Sequence, residues 1–220
     1  MKERPIIFSA PMVMAILDGR KTQTRRIIKP QFNATPGIAK ITPHDLEGGR
    51  FGFFDEFQEY RCPYGQPGDR LWVRESWQHS NYPFGPLDPD CDIFYRADYW
   101  DDPHGMDGEK SAEGKYRTWK RSFHMPKWAS RIDLEITGVR VERLQDISEA
   151  DAVAEGIERT GGAASCCPWK NYRKGDLGEM TLDCSAPSRS YMTLWESING
   201  AGSWDANPWI WVLEFQRIKP

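Results

Sequence analysis

The sequence has no apolar run near the roughly 20 residues that a bilayer-spanning helix needs. Its start, "MKERPIIFSAP", has no apolar core of the signal-peptide kind, so a cytoplasmic protein with no membrane partner is expected. Only five cysteines occur (Cys62, Cys91, Cys166, Cys167 and Cys184), and none forms a C-x-x-C pair. The adjacent Cys166 and Cys167 do not match structural zinc spacing, so reduced thiols are expected, with no metal and no cofactor. Internal repeats and low-complexity tracts are lacking, which sets solenoids and disordered tails aside. There is no basic excess either: the net charge is −3, which disfavours tight nonspecific binding to DNA.

What remains is a chain of 220 residues, long enough for one domain with insertions, with 39% hydrophobic and 28% charged residues and ten tryptophans. Against the acidic background, "DGRKTQTRRIIKP" (18–30) concentrates five Lys or Arg between Arg20 and Lys29. It follows a short helical pattern in which Ser9 is the expected N-cap, Pro11 suits the first turn and Gly19 the left-handed stop. If the stretch is extended, Thr22, Thr24 and Arg26 share one face and Gln23 and Arg25 the other. Lys21 then faces away from Thr24, unless the chain turns just after Gly19. A Thr hydroxyl needs a neighbouring base to attack, and a Lys amine becomes a base when burial or nearby cations lower its pKa. A solvated, charged strand edge is the plain alternative.

Further along, "QPGDRLWVRESW" (66–77) reads as a Pro-Gly turn into a strand. There Trp72 and Arg74 share a face, opposite Val73 and Glu75; Trp beside Arg makes a stacking platform for a base, or a core Trp beside a cross-strand ion pair. "SRIDLEITGVRVERL" (130–144) alternates as a long half-buried strand with a bulge or bend expected at Gly138. "ISEADAVAEGI" (147–157) is a short helix capped by Ser148 and stopped at Gly156. Glu155 in its last turn opposes the helix dipole, which hints at a proton-transfer role or marks an exposed helix end. "NPWIWVLEFQRI" (207–218) is a buried closing strand. "KYRTWKRSFHMPKWASR" (115–131) mixes basic and aromatic residues, the composition of a nucleic-acid surface or of a solvated loop with anchoring aromatics. Residues 78–122 and 158–190 read as long loops or insertions. Strands outnumber helices, so the expected fold is α+β, mainly β: a compact barrel with short helices, in a single domain over 1–220.

Four of these segments, "ILDGRKTQTRR", "PGDRLWVRESW", "LEITGVRVERLQDISEADAVAEGI" and the final "WVLEF", together resemble the ASCH domain, a relative of the PUA RNA-binding barrel, in the form found in phage and prophage proteins. The resemblance runs in order over the whole chain, with 78–122 and 158–190 as additional material. It implies a PUA-like β-barrel. Among the relatives it resembles are small bacterial amidohydrolases that deacetylate N4-acetylcytidine. Their loop G-[RK]-K-T-x-T-x-R corresponds to Gly19 through Arg26 without a gap, which implies catalytic roles for Lys21 and Thr24, with Glu155 as the third group. Thr24 would attack the acyl carbonyl and Lys21 accept its proton. Arg20, Arg26, Trp72, Arg74 and Glu75 are the candidate substrate-binding residues. The partner implied is a modified nucleoside or RNA. A non-catalytic binder of RNA or a modified base, and a ribonuclease, are the alternatives that the resemblance also carries.

Overall fold

The computed structural model describes residues 1–31, 42–46, 50–54, 59–82, 85–99, 119–160, 167–173 and 184–218. Two compact units emerge: unit 1 comprises 1–19, 68–135 and 217–220, and unit 2 comprises 20–67 and 136–216. The fold is α+β, with strands in the majority and few helices.

In unit 1, β1 (Glu3–Ile7) runs parallel to β6 (Arg70–Arg74), in register from Glu3 opposite Arg70 to Ile7 opposite Arg74. The first residues of β9 (Asp133–Arg143) continue this sheet antiparallel to β6, with Leu71 opposite Leu134. Leu71, Trp72 and Val73 are all buried, so β6 is covered on both faces. Between β1 and β6 in sequence lies α1 (Ala10–Leu17), which buries Val13, Ala15 and Ile16. Ser9 stands at its N-cap position without a side-chain capping bond, and Gly19 ends it at φ +74° as expected. β7 (Trp77–His79) and β8 (Ile93–Tyr95) form an antiparallel hairpin inside the stretch expected to be loop. It is anchored by a small core of Trp77, Met125 and Ala129.

In unit 2, β10 (Trp209–Ile218) pairs antiparallel with β2 (Gln23–Ile27), with Val212 opposite Arg25, Leu213 opposite Thr24 and Glu214 opposite Gln23. The longer part of β9 belongs here. β9 runs unbroken through Gly138, and the glycine has a packing reason: a Cβ there would lie 2.6 Å from Glu214 Oε2. β3 (Thr42–Leu46), β4 (Arg50–Phe54) and β5 (Glu59–Tyr60) form a separate antiparallel sheet. Two helices complete the unit. α2 (Glu149–Ala154) is capped as its sequence suggests, with the Asp151 amide donating to Ser148 Oγ at 3.1 Å, and Gly156 follows it at φ +85°. α3 (Pro187–Asn199) begins in the second expected insertion. It buries Tyr191 and Trp195 against Leu144, Ile147, Ala152, Ile210 and Val212, which is the core of the unit. The hydrogen-bonded strand order among the described residues is an open one, β1-β6-β9 in unit 1 and β9-β10-β2 in unit 2.

Among the described residues no helix is long and apolar enough to cross a membrane, and no three His, Cys, Asp or Glu side chains converge in a way that would hold a metal.

Candidate functional site

The basic stretch of residues 20–29 is only in part a solvated edge. Lys21, Gln23, Thr24 and Arg25 are all buried, and Arg20 and Lys29 are exposed. Isolated buried charges are costly, so each cation must find a partner. Lys21 pairs its backbone with Glu155 in an isolated antiparallel bridge, and the Thr22 amide donates to the Ala154 carbonyl at 2.9 Å. That bridge carries the Lys21 side chain to the end of α2. There Lys21 Nζ donates to Glu155 Oε2 at 2.8 Å and to the Glu155 carbonyl at 2.9 Å. Arg20 Nη1 reaches the next carbonyl, that of Gly156, at 3.2 Å. Two cations thus bond the carbonyls of the C-cap residue of α2 and of the residue after it, and they offset the unfavourable position of a carboxylate at a helix C-terminus.

Arg25 closes the other side of Glu155. Its Nη1 donates to Glu155 Oε1 at 3.1 Å and to Gln23 Oε1 at 3.1 Å, and its Nη2 lies 3.2 Å from Asp151 Oδ2 and 3.4 Å from Glu142 Oε2. Arg140 shares the same acids, with Nη2 3.0 Å from Asp151 Oδ1, and is also bonded to Glu142 and Glu214. The network holds three cations (Lys21, Arg25, Arg140) and four carboxylates (Glu142, Asp151, Glu155, Glu214) in unit 2 alone.

Burial pulls the Lys21 pKa below its ordinary value, with Arg26 and Arg25 adding to the fall while Glu155 opposes it. At Asp151 burial acts to raise the pKa, but Arg140 and Arg25 outweigh it and hold the carboxyl below its usual value. The site therefore combines an amine that releases its proton more readily than an ordinary lysine with a carboxyl that releases its own more readily than an ordinary aspartic acid.

A pocket of about 230 Å³ opens beside this network, lined by Thr22, Gln23, Thr137, Asp151, Ala154, Glu214 and Phe215. That is below the roughly 300–1,000 Å³ of sites for drug-sized ligands, so a single ring with a small substituent is the scale it suits. Thr22 and Ala154 in that lining are the immediate chain neighbours of Lys21 and Glu155, which do not themselves line the pocket. The Lys21 side chain has 0% exposure and that of Glu155 3%.

The structure brings Lys21 and Glu155 together across 134 residues of sequence. Thr24 is buried too, but strand alternation sets it on the face of β2 opposite Gln23 and Arg25, beside its cross-strand partner Leu213. Arg25 and Lys21 meet on one carboxylate, so the shared face is that of Lys21, Gln23 and Arg25. Arg26 is half-buried on the Thr24 face by the same alternation, and its charge contributes to lowering the Lys21 pKa. Trp72, Arg74 and Glu75 belong to unit 1. There the Arg74 guanidinium stacks 4.5 Å from the Trp72 ring, and Glu75 is buried against Arg131, Nε to Oε1 at 2.9 Å and Nη2 to Oε2 at 3.1 Å. Arg131 also reaches Asp98 and stacks 4.0 Å from the Tyr95 ring.

Of the basic-aromatic stretch 115–131, residues 115–118 lie outside the described residues. Lys120 Nζ contacts His79 Nε2 at 2.9 Å, Lys127 is bonded to Glu3, and Arg131 is committed to Glu75 and Asp98, so three of its cations serve contacts within unit 1. Phe123 and Trp128 remain exposed.

Sequence reasoning missed Gln23, Asp151, Arg140 and Glu214. Asp151 and Glu214 were legible only as ordinary helix and strand residues, because Glu214 is brought in by the pairing of β2 with β10 and Asp151 by its ion pairs to Arg25 and Arg140. No family model matches the chain, and no curated protein or solved structure matches it either.

Proposed function

We propose that the chain is an ASCH-type protein with a PUA-like barrel, whose unit 2 pocket binds a pyrimidine base and hydrolyses the amide of an N4-acylated cytidine. The observation that carries this reading is the buried Lys21–Glu155 pair, with Arg25 on the same carboxylate and the pair's chain neighbours Thr22 and Ala154 lining a pocket of base-like dimensions. A lysine that loses its proton readily can take one from an attacking nucleophile, and a carboxyl group beside it can return a proton to the departing amine. The bond broken is the acyl C–N bond; water supplies the hydroxyl to the acyl carbon and a hydrogen to the exocyclic nitrogen. Because Thr24 lies on the opposite face of β2, water is the attacking group that fits the arrangement better. With Lys21 sealed, ligand entry has to open the Lys21–Glu155 bond before either group touches a reacting atom.

A second reading has its own observation. Every charged group in the network has at least one opposite-charge partner within it, and such a knot serves equally as a structural pin beneath a non-catalytic pocket for a modified base or an RNA nucleotide. Incubation with a panel of N4-acylcytidines, followed by chromatography for released cytidine, separates the two. Release that disappears in Lys21→Met and Glu155→Gln supports the enzyme. Saturable binding without release supports the binder, and neither binding nor release overturns both.

A further inference from the structure

One buried polar side chain in the pocket wall is not used by the proposed reaction. Gln23 is 2% exposed, yet it lines the pocket. Its carboxamide is oriented by Arg25: a guanidinium only donates, so the atom 3.1 Å from Arg25 Nη1 has to be the oxygen, Oε1. The NH₂ end therefore points away from Arg25. Among the described residues no acceptor takes its hydrogens, and the group keeps access to the pocket space. A donor that opens on a pocket is satisfied there by water or by a ligand acceptor. Arg25 also polarises the amide by holding its oxygen, which strengthens the opposite N–H as a donor. The charged groups in the lining, Asp151 and Glu214, accept hydrogen bonds as carboxylates and do not donate them. Glu214 stands directly across the strand pair from Gln23.

A donor fixed beside carboxylate acceptors complements a ligand that presents both a carbonyl oxygen and an N–H group. We propose that Gln23 is the orienting and specificity residue of this pocket, donating from its carboxamide to a carbonyl oxygen of the bound ligand. This rests on the reading of the pocket as a site for a base bearing an amide. Two oxygens of such a ligand share that chemistry, the ring carbonyl of the pyrimidine and the carbonyl of the acyl group. Bonding to the acyl oxygen would also stabilise the oxyanion that forms there during hydrolysis. The motif G-[RK]-K-T-x-T-x-R leaves this position open, so the assignment belongs to this chain.

The test pairs a substitution with a spectroscopic signature. Gln23→Glu keeps an acceptor for Arg25 and replaces the donor by a second acceptor. The side-chain amide resonances of Gln23 in a ¹⁵N spectrum are assigned by their loss in that variant. Added to the wild-type protein, N4-acetylcytidine should shift this pair; cytidine should shift it as strongly if the ring carbonyl is bound, and little if the acyl oxygen is bound. Gln23→Glu should weaken N4-acetylcytidine affinity by at least about tenfold, the worth of one good hydrogen bond. The added buried carboxylate also lowers the melting transition, so the amide shift in the wild-type protein is the readout that is free of a folding effect. If the amide pair shifts but no acyl group is released, the hydrolase reading fails and the Gln23 assignment stands. If hydrolysis proceeds, the pair stays still and Gln23→Glu turns over like wild type, the assignment falls and the hydrolase stands. A Gln23 pair that no ligand moves overturns the assignment as well.

Discussion

Lys21 Nζ sits 2.8 Å from one carboxylate oxygen of Glu155 and 2.9 Å from the backbone carbonyl of the same residue, so one ammonium serves both as an ion-pair partner and as a helix cap. The two members of the pair are not equivalent. Without Lys21, Glu155 still accepts from Arg25 Nη1. Without the Glu155 side chain, Lys21 loses the one carboxylate that favours its charged form. Glu155→Leu should therefore cost about 3–5 kcal/mol, the usual penalty for breaking a buried pair, and Lys21→Met distinctly less. Urea unfolding of both variants measures the order. A larger loss for Lys21→Met would show that the cap outweighs the pair.

The depressed Lys21 pKa sets the sign of a pH effect. In the unfolded chain this amine keeps its proton up to the ordinary value of 10.5, whereas in the folded protein it releases it at lower pH. Between those two values the unfolded state binds more protons, so stability should rise with pH across that window. Lys21→Met should abolish that rise and leave the rest of the profile in place. Turnover of an N4-acylcytidine should climb with pH over the same range, because only the neutral amine accepts a proton. A wild-type stability curve parallel to that of Lys21→Met on the alkaline side would contradict the depressed pKa.

Glu75 gives the opposite sign in unit 1. Burial raises its pKa above the ordinary 4.5, against the pull of Arg131. Between 4.5 and the raised value the folded state binds more protons, so the contribution of Glu75 is fully present below 4.5 and is lost as pH rises through the folded pKa. Glu75→Gln should remove this acid-side slope, as followed by thermal melts at stepped pH. An unaltered slope in Glu75→Gln would place the titration elsewhere.

Gly138 tests the acidic wall of the pocket. A Cβ there meets Glu214 Oε2 at 2.6 Å, but Glu214 is the tip of a flexible side chain that is 46% exposed and can move aside. Gly138→Ala should change stability by less than about 1 kcal/mol, since alanine also suits a strand better than glycine. It should nonetheless displace Glu214 from Arg140 and alter pocket affinity. A loss of several kcal/mol would mean that the strand has no room to adjust.

Much of the local architecture was legible because it is written in local chemistry. Ser148 caps α2, Gly19 and Gly156 take the positive φ values that end helices, and the alternating strands fall close to where the pattern sets them. α3 escaped although Tyr191, Leu194 and Trp195 are spaced for one face and Gly200 follows at φ +96°, since the preceding Gly- and Ser-rich stretch masked its start. The burial of Lys21 and Arg25 could not be read locally at all. A basic run looks solvated until β10 pairs with β2 and α2 brings its acids to it. Strand parity did carry information: alternation alone sets Lys21 apart from Thr24, and the network agrees with it.

That parity makes Thr24 the decisive residue for mechanism. Thr24 is buried opposite Leu213, while Glu155 is bound from the Gln23 and Arg25 face. Strand alternation aims the Thr24 hydroxyl away from the Gln23 and Arg25 face, which disfavours direct proton transfer to Lys21. Thr24→Val preserves the shape and removes only the hydroxyl. If water attacks, the variant should hydrolyse N4-acylcytidine within a few-fold of wild type, whereas Lys21→Met should lose at least about 100-fold, the lower range for a removed acid–base group. If Thr24 is the nucleophile, Thr24→Val should fall as far as Lys21→Met, and wild-type protein quenched during turnover should carry an acyl group detectable by mass on the peptide containing Thr24. Loss of activity in Thr24→Val together with that acyl peptide would establish the covalent route and overturn the water mechanism.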